Sequence, residues 1–130
     1  IKNLYFFILM KVLAIESSCD DTSFSIVSDD KSIDFLETIN HRRFHKKHGG
    51  VIPEIAARQH LDIMDHLDES AHRIDFNKID AIAATYGPGL IGGLIVGSSF
   101  AKGLALAKQK KLIPINHLQA HLLSPRLTSN

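Results

Sequence analysis

The sequence predicts an α/β fold, a mixed five-stranded sheet with helices on its faces, in the order β-β-β-α-β-α-β-α. Three observations predict it. Short runs with period-two alternation follow one another through residues 11–40, separated by Ser- and Asp-rich turns. A helical period then runs from about residue 53 to 73. Beyond it, two compact apolar runs at 81–85 and 110–115 alternate with segments of helical pattern.

Each element has its own warrant. KVLAIE (11–16) is an apolar run ending in a carboxylate, and SSCDD supplies turn-forming Ser and Asp. TSFSIVS (22–28) alternates Phe24 and Ile26 with polar neighbours, so strand, tight turn and strand make a hairpin. DDK at 29–31 turns the chain into SIDFLETIN (32–40), a third antiparallel strand. HGGV (48–51) is a loop, and Pro53 suits the first turn of a helix. Ile55, Ala56, His60, Ile63, Met64, Leu67 and Ala71 then keep the 3.6-residue period, with His60 expected as a hydrogen-bonded core histidine. Glu54, Arg58, Asp62, Asp65 and Asp68 point mostly away. AIAAT (81–85) reads as a fully buried strand, and the glycine-dense YGPGLIGG leads into a helix that is apolar almost all round to Ala107. KKLIPI (110–115) is a short strand cut by Pro114. NHLQAHLLSPRL (116–127) has Asn116 as N-cap and a helical pattern stopped near Pro125. This order resembles that of actin-like ATPase (ribonuclease H-like) lobes, in which the first hairpin turn faces nucleotide phosphates.

Composition narrows the function classes. The chain has 130 residues, 45% hydrophobic and 22% charged, in the range of a soluble globular domain. Fifteen basic and fourteen acidic side chains leave a net charge of +1, so no global field selects nucleic acid or an anionic membrane. A local basic run is present at His41, Arg42, Arg43, His45, Lys46, Lys47 and His48. It reads as a solvated loop, with a phosphate-contacting surface as the sharper alternative. The single cysteine, Cys19, excludes an internal disulfide and fits a reducing, cytoplasmic compartment. Carboxylates flank it and would raise its pKa, which favours a structural role over a nucleophile. LYFFILM is apolar, but Lys11 interrupts it and no small-residue cleavage site follows, so a signal peptide is not expected. Residues 1–9 read as a non-native upstream extension and 10–130 as the domain, with Met10 as the natural start. Residues 81–107 have the length of a membrane span, yet Gly87-Pro88-Gly89 breaks the run and Lys102 lies inside it. No membrane association is expected.

Three stretches can carry chemistry. In ESSCDDTS, the hydroxyls of Ser17 and Ser18 with turn backbone N–H groups suit phosphate oxygens, and Asp20 and Asp21 suit a cation. Ser and Asp are also what turns prefer. In GPGLIGG, Gly87 and Gly89 stand between a buried strand and a helix N-terminus, where backbone can approach an anion; close helix packing alone would demand the same glycines. His117 and His121 stand four apart, on one face of a helix, a common arrangement for shared zinc or iron. The residues between them are Leu118, Gln119 and Ala120, so the glutamate base of an H-E-x-x-H protease is missing. Two histidines are also an incomplete shell. A metal pair and an ordinary surface pair both remain open on these residues alone.

VLAIESSCDDTS, HGGVIPEIAARQH, GPGLIGGLIVG and NHLQAHLLSP occur in this order. The set closely resembles the tRNA threonylcarbamoyladenosine-synthesis family, formerly described as O-sialoglycoprotein endopeptidase or glycoprotease, from about Lys11 to Arg126. The resemblance implies an actin-like fold and one divalent metal, iron or zinc, on His117 and His121. It implies transfer of a threonylcarbamoyl group from its adenylate to N6 of adenosine 37 in tRNAs that read ANN codons, with other subunits of that machinery as partners. Family members usually carry Glu where this chain has Gln119. They are also longer, and their remaining part carries a Ser-Gly-Gly substrate loop, a second lobe and an aspartate ligand. The expectation is therefore an N-terminal portion of such a transferase, from a split or decayed gene, inactive alone. A separately encoded C-terminal half or a homodimer would complete it. A non-catalytic dimerisation or partner-binding module is the alternative, and a metalloendopeptidase a remote one.

Overall fold

Alternation along the first forty residues is what builds the sheet. In the computed structural model, which describes residues 9–70 and 74–128, three antiparallel strands come first: β1 (Lys11–Glu16), β2 (Asp21–Ser28) and β3 (Ile33–Asn40). β4 (Ala81–Gly87) and β5 (Lys111–Asn116) complete a five-stranded sheet of order β3-β2-β1-β4-β5. β1–β2 and β2–β3 pair antiparallel, β1–β4 and β4–β5 parallel, so the sheet is mixed, as expected. Pro114 is tolerated because β5 is an edge strand and has one side with no ladder to serve.

Leu13 and Ile15 of β1 lie beside Ile26 and Phe24 of β2 and beside Ile82 and Ala84 of β4, all on one face and all buried. Two long helices cover that face: α2 (Pro53–Ser70) and α3 (Ile91–Ala107). α2 contributes Ile63, Met64 and Leu67 to the core, α3 Ala101 and Ala105. Glu54, Arg58, Asp62 and Asp65 are exposed on α2, as its period requires. The last expected residues of that helix, 71–73, lie outside the described residues, as do residues 1–8 of the expected upstream extension. No helix among the described residues is long and apolar enough to cross a membrane.

The basic run departs from a solvated loop. It folds into α1 (Arg42–His45) and a 3-10 turn (Lys46–His48), and His41 and His45 are buried rather than solvated. A histidine that turns inward every fourth residue escapes a reading dominated by the surrounding charge. At the other end the chain forms α4 (His117–Leu123), capped by Asn116 through the Gln119 N–H, and then α5 (Pro125–Thr128).

α3 also yields a test of packing on the exposed side. A Cβ added at Gly103 meets nothing within 4 Å. Gly103→Ala is therefore expected to stabilise the domain by about 0.5–1 kcal/mol through helix propensity alone. The midpoint of urea unfolding measures it.

The parallel strands β1, β4 and β5 end on the same side of the sheet, at Glu16, Gly87 and Asn116. β1 is where pairing changes from antiparallel to parallel. In open α/β sheets ligands bind beyond the carboxyl ends of strands at such a switch point.

Candidate functional site

Glu16 closes β1, Thr85 stands near the end of β4, and His117 opens α4 directly after β5. Pairing of these strands brings the three together although they are up to 101 positions apart in sequence. The Thr85 hydroxyl donates to Glu16 Oε2, and the Ser18 N–H donates to Glu16 Oε1 at 2.5 Å. His117 Nδ1 lies 3.3 Å from Glu16 Oε2 and 3.0 Å from Ser18 Oγ. Burial pushes the Glu16 carboxyl up, but hydrogen bonds from Ser18, Thr85 and His117 outweigh it and leave the pKa below the ordinary carboxylate value. Glu16 is thus an ionised acceptor, so the proton sits on His117 Nδ1. The lone pair of that ring is left on Nε2.

His121 meets it there. The two Nε2 atoms are 3.0 Å apart, and the rings stand edge to face with centroids 4.4 Å apart. Without a metal, His121 Nε2–H donates to His117 Nε2. With a metal, both lone pairs would be shared at bonds of about 2.0–2.1 Å, for which tetrahedral geometry sets an N···N separation of about 3.3 Å. A few tenths of an ångström of side-chain movement separates the two arrangements. The pair opens onto a cavity of about 250 Å³ lined by Glu16, His117, Ala120, His121 and Ser124. A carboxylate on the far nitrogen of a ligating histidine is the usual support of metal sites. The donor set fits two ligands of a shell. No group of three His, Cys, Asp or Glu side chains that could hold a metal is gathered among the described residues, so the shell is incomplete within them.

A Ser–His–acid relay is excluded by the same geometry. It needs the serine and the acid on different ring nitrogens, whereas Ser18 and Glu16 share Nδ1. Nor does Glu16 stand where a hydrolytic base would, since it lies on the side of His117 away from Nε2.

The other residues singled out from sequence divide. Ser18 joins the histidines. Ser17 is 1% exposed, and its hydroxyl donates to the Gly93 carbonyl at 2.9 Å, inside the protein. Asp20 lines a cavity of about 350 Å³ with Arg43, His45, Lys46, Gly50 and Val51. Asp21 accepts from Asn40 Nδ2 at 2.7 Å. Gly87 has φ +141°, a conformation side chains rarely adopt. A Cβ on Gly89 would lie 2.6 Å from the Ser18 carbonyl oxygen, and the Leu90 N–H donates to that oxygen at 2.7 Å. Close packing thus accounts for Gly89. Cys19 is exposed, and partial desolvation with the adjacent Asp20 pushes its thiol up, away from thiolate chemistry. Sequence reasoning missed Glu16 and Thr85 as partners of His117. The available signal was a polar residue ending each of two apolar strands.

Behind the turn, His41 and His60 are buried, and burial pushes both pKa values below the ordinary histidine value; His60 adds to the effect at His41. The unfolded chain therefore takes up more protons than the folded one as pH falls through about 6.5. Stability is complete above that pH and declines below it. The urea midpoint is expected to be lower at pH 5 than at pH 7.5, and a midpoint unchanged across that window would contradict it.

The family model described as "TsaD: tRNA N6-adenosine threonylcarbamoyltransferase" matches residues 35–130. A relative named tRNA N6-adenosine threonylcarbamoyltransferase from Rickettsia canadensis (strain McKiel) is 50% identical over 125 residues, 94% of this chain and 36% of the relative. One of the same name from Rickettsia typhi (strain ATCC VR-144 / Wilmington) is 49% identical over 125 residues, 94% of this chain and 32% of the relative. The chain therefore spans about a third of the length of these relatives. Among solved structures, YeaZ from Pseudomonas aeruginosa superposes with a TM-score of 0.52 at 22% identity, over 82% of this chain and 43% of that one. RuvC from T. thermophilus, solved with a Holliday junction substrate, gives 0.52 at 14% identity, over 85% and 67%. These likenesses concern the fold, which is the actin-like, ribonuclease H-like one.

Proposed function

The chain belongs to the tRNA N6-adenosine threonylcarbamoyltransferase family, and we propose that it is the N-terminal portion of a metal-dependent transferase that moves threonylcarbamoyl from its adenylate to N6 of adenosine 37 in tRNA. One observation carries the metal part of this reading: His117 and His121 present Nε2 atoms 3.0 Å apart while Glu16 and Ser18 hold His117 from behind. His117 and His121 are the ligands, and a divalent ion, iron or zinc, would supply Lewis-acid polarisation of the threonylcarbamoyl group when bound. Glu16 keeps the His117 proton on Nδ1, and Thr85 and the Ser18 N–H keep Glu16 in place. The adenylate belongs near the turn of Ser18, Asp20 and Asp21 and the Gly87–Gly89 segment, while Ser17 faces the interior. Asp20 beside its open cavity is the member of that set with most room for a ligand. Gln119 is exposed on α4; in place of the family's glutamate it brings no charge to the pair.

A chain with a third of its relatives' length is proposed to need a complement for turnover. The test has two arms: metal retained by the purified chain, and transfer of labelled threonylcarbamoyl to tRNA with and without the remaining segment of a relative. Bound metal, with transfer only in the presence of the complement, is expected. Absence of both overturns the reading.

One observation favours a second reading, a non-catalytic module that pairs with another chain or with itself. α3 leaves Ile91, Ile95 and Leu106 at 72%, 56% and 72% exposure. Sedimentation equilibrium of the chain alone, with no metal bound, would favour this reading if it gave a stable dimer.

A further inference from the structure

Behind the Glu16–Asp20 turn lies a row of polar groups with no place in the site described above. His41 and His60 are 1% and 0% exposed, with ring centroids 5.1 Å apart, and Thr22 lies between them, also buried. Donor directions follow from one end. A carbonyl only accepts, so His60 Nε2 carries the proton toward the Cys19 oxygen, 3.1 Å away. The Nδ1 of that neutral ring then accepts from Thr22 Oγ1 at 2.7 Å. The Thr22 oxygen accepts in turn from His41 Nε2 at 3.2 Å. His41 Nδ1 is left as a bare lone pair, buried and without a hydrogen-bond partner among the described residues. Three hydrogen bonds thus run one way, from His41 to the turn. Burial, which keeps His60 neutral, maintains that direction at neutral pH.

An apolar side chain would fill the same space without the cost of burying polar groups. The ring is closely fitted as well, since a Cβ on Gly93 would come within 2.9 Å of His60 Cδ2 and 3.0 Å of Nε2. What the row touches at its end is the peptide that follows Cys19, one residue beyond Ser18. Ser18 is already held by its N–H on Glu16 and by its carbonyl under Leu90. The bond from His60 holds the next carbonyl, and with it the turn from which the Ser18 hydroxyl projects.

We propose that His60, backed by Thr22 and His41, is a positioning residue for the histidine pair: by holding the Cys19 carbonyl it steadies the turn from which Ser18 Oγ reaches His117 Nδ1 and so, together with Glu16, sets the tautomer and orientation of that ring. The proposal rests on the metal reading given above. Cobalt(II) titration of the full chain tests it, with thermal midpoints recorded alongside. His60→Leu and Thr22→Val are expected to lower cobalt affinity about tenfold, the size seen when outer-shell partners are lost, and Thr22→Ser to restore it. In the metal-free chain, nitrogen-15 spectra of the imidazoles are expected to show His117 protonated at Nδ1 in the wild type and a mixture of tautomers in the two variants.

Wild-type affinity with an unchanged His117 tautomer in both variants overturns the proposal. A wild-type chain that binds no cobalt removes the metal reading instead, while the tautomer spectra still decide whether His60 positions His117. Should His60→Leu fail to fold, Thr22→Val decides, because it removes the hydroxyl and keeps the shape.

Discussion

Replacing His117 and His121 together by alanine is expected to reduce the affinity for zinc, iron or cobalt by at least about a hundredfold, since loss of a mere outer-shell partner already costs about 10–100-fold. Both rings supply electron pairs directly, and nothing near them can substitute. Leu118 and Ala120 have no ligand atoms, and the Glu16 carboxylate stays occupied by the Thr85 hydroxyl and the Ser18 N–H. Glu16→Gln separates ligation from support. An amide can offer its N–H to the His117 ring as readily as its oxygen, so the proton is no longer confined to Nδ1, and a loss of about 10–100-fold is expected. The double variant should keep its fold, because His121 is exposed and His117 only partly buried. Calorimetric titration with circular dichroism as the control measures this. A double variant that binds one metal per chain as tightly as the wild type would falsify the assignment.

The parts of this molecule legible in its sequence are those decided by neighbours in the chain. Phe24 and Ile26 alternate with serines and give β2; Ile63, Met64 and Leu67 recur at helical spacing and give α2; Asn116 precedes a helical pattern and caps α4. His117 and His121 were legible as a pair because four residues on a helix fix their common face. Their supports were not. Glu16 and Thr85 reach His117 only after β1, β4 and β5 are laid side by side, and no local pattern encodes that pairing. The basic run failed for another reason: His41 and His45 are buried within a run of charge, and α1, of four residues, is too short for periodicity to declare which residues face inward. Ser17 looked like a ligand-facing hydroxyl because turn composition is the same whether the side chain points out or in. Its neighbour on the other side of the core, Gly93, held the answer.

Gly93→Ala is the substitution expected to damage the fold most. α3 crosses the Glu16–Asp20 turn so closely that a methyl group there would be driven into the Ser17 carbonyl oxygen, with His60 within 3.0 Å on the other side. Alanine gains about 1 kcal/mol over glycine as a helix residue, and at the open Gly103 that gain is what should appear. At Gly93 it is outweighed. The obstacle is backbone, which no rotamer change can move, so the helix must retreat from the sheet and strip contact from Ile15 and Leu94. Overpacking of this kind costs about 1–3 kcal/mol and more where nothing can yield, so a net loss of about 3 kcal/mol in urea unfolding is expected. Gly97 provides the contrast. There the added methyl meets chiefly the Ser17 hydroxyl, a side chain that can be removed. Ser17→Ala should therefore relieve much of the cost of Gly97→Ala, a non-additive pair, and do little for Gly93→Ala. If the serine substitution rescued both glycine variants equally, the close approach would be one of side chains alone, and the turn would not be held by the helix backbone at all.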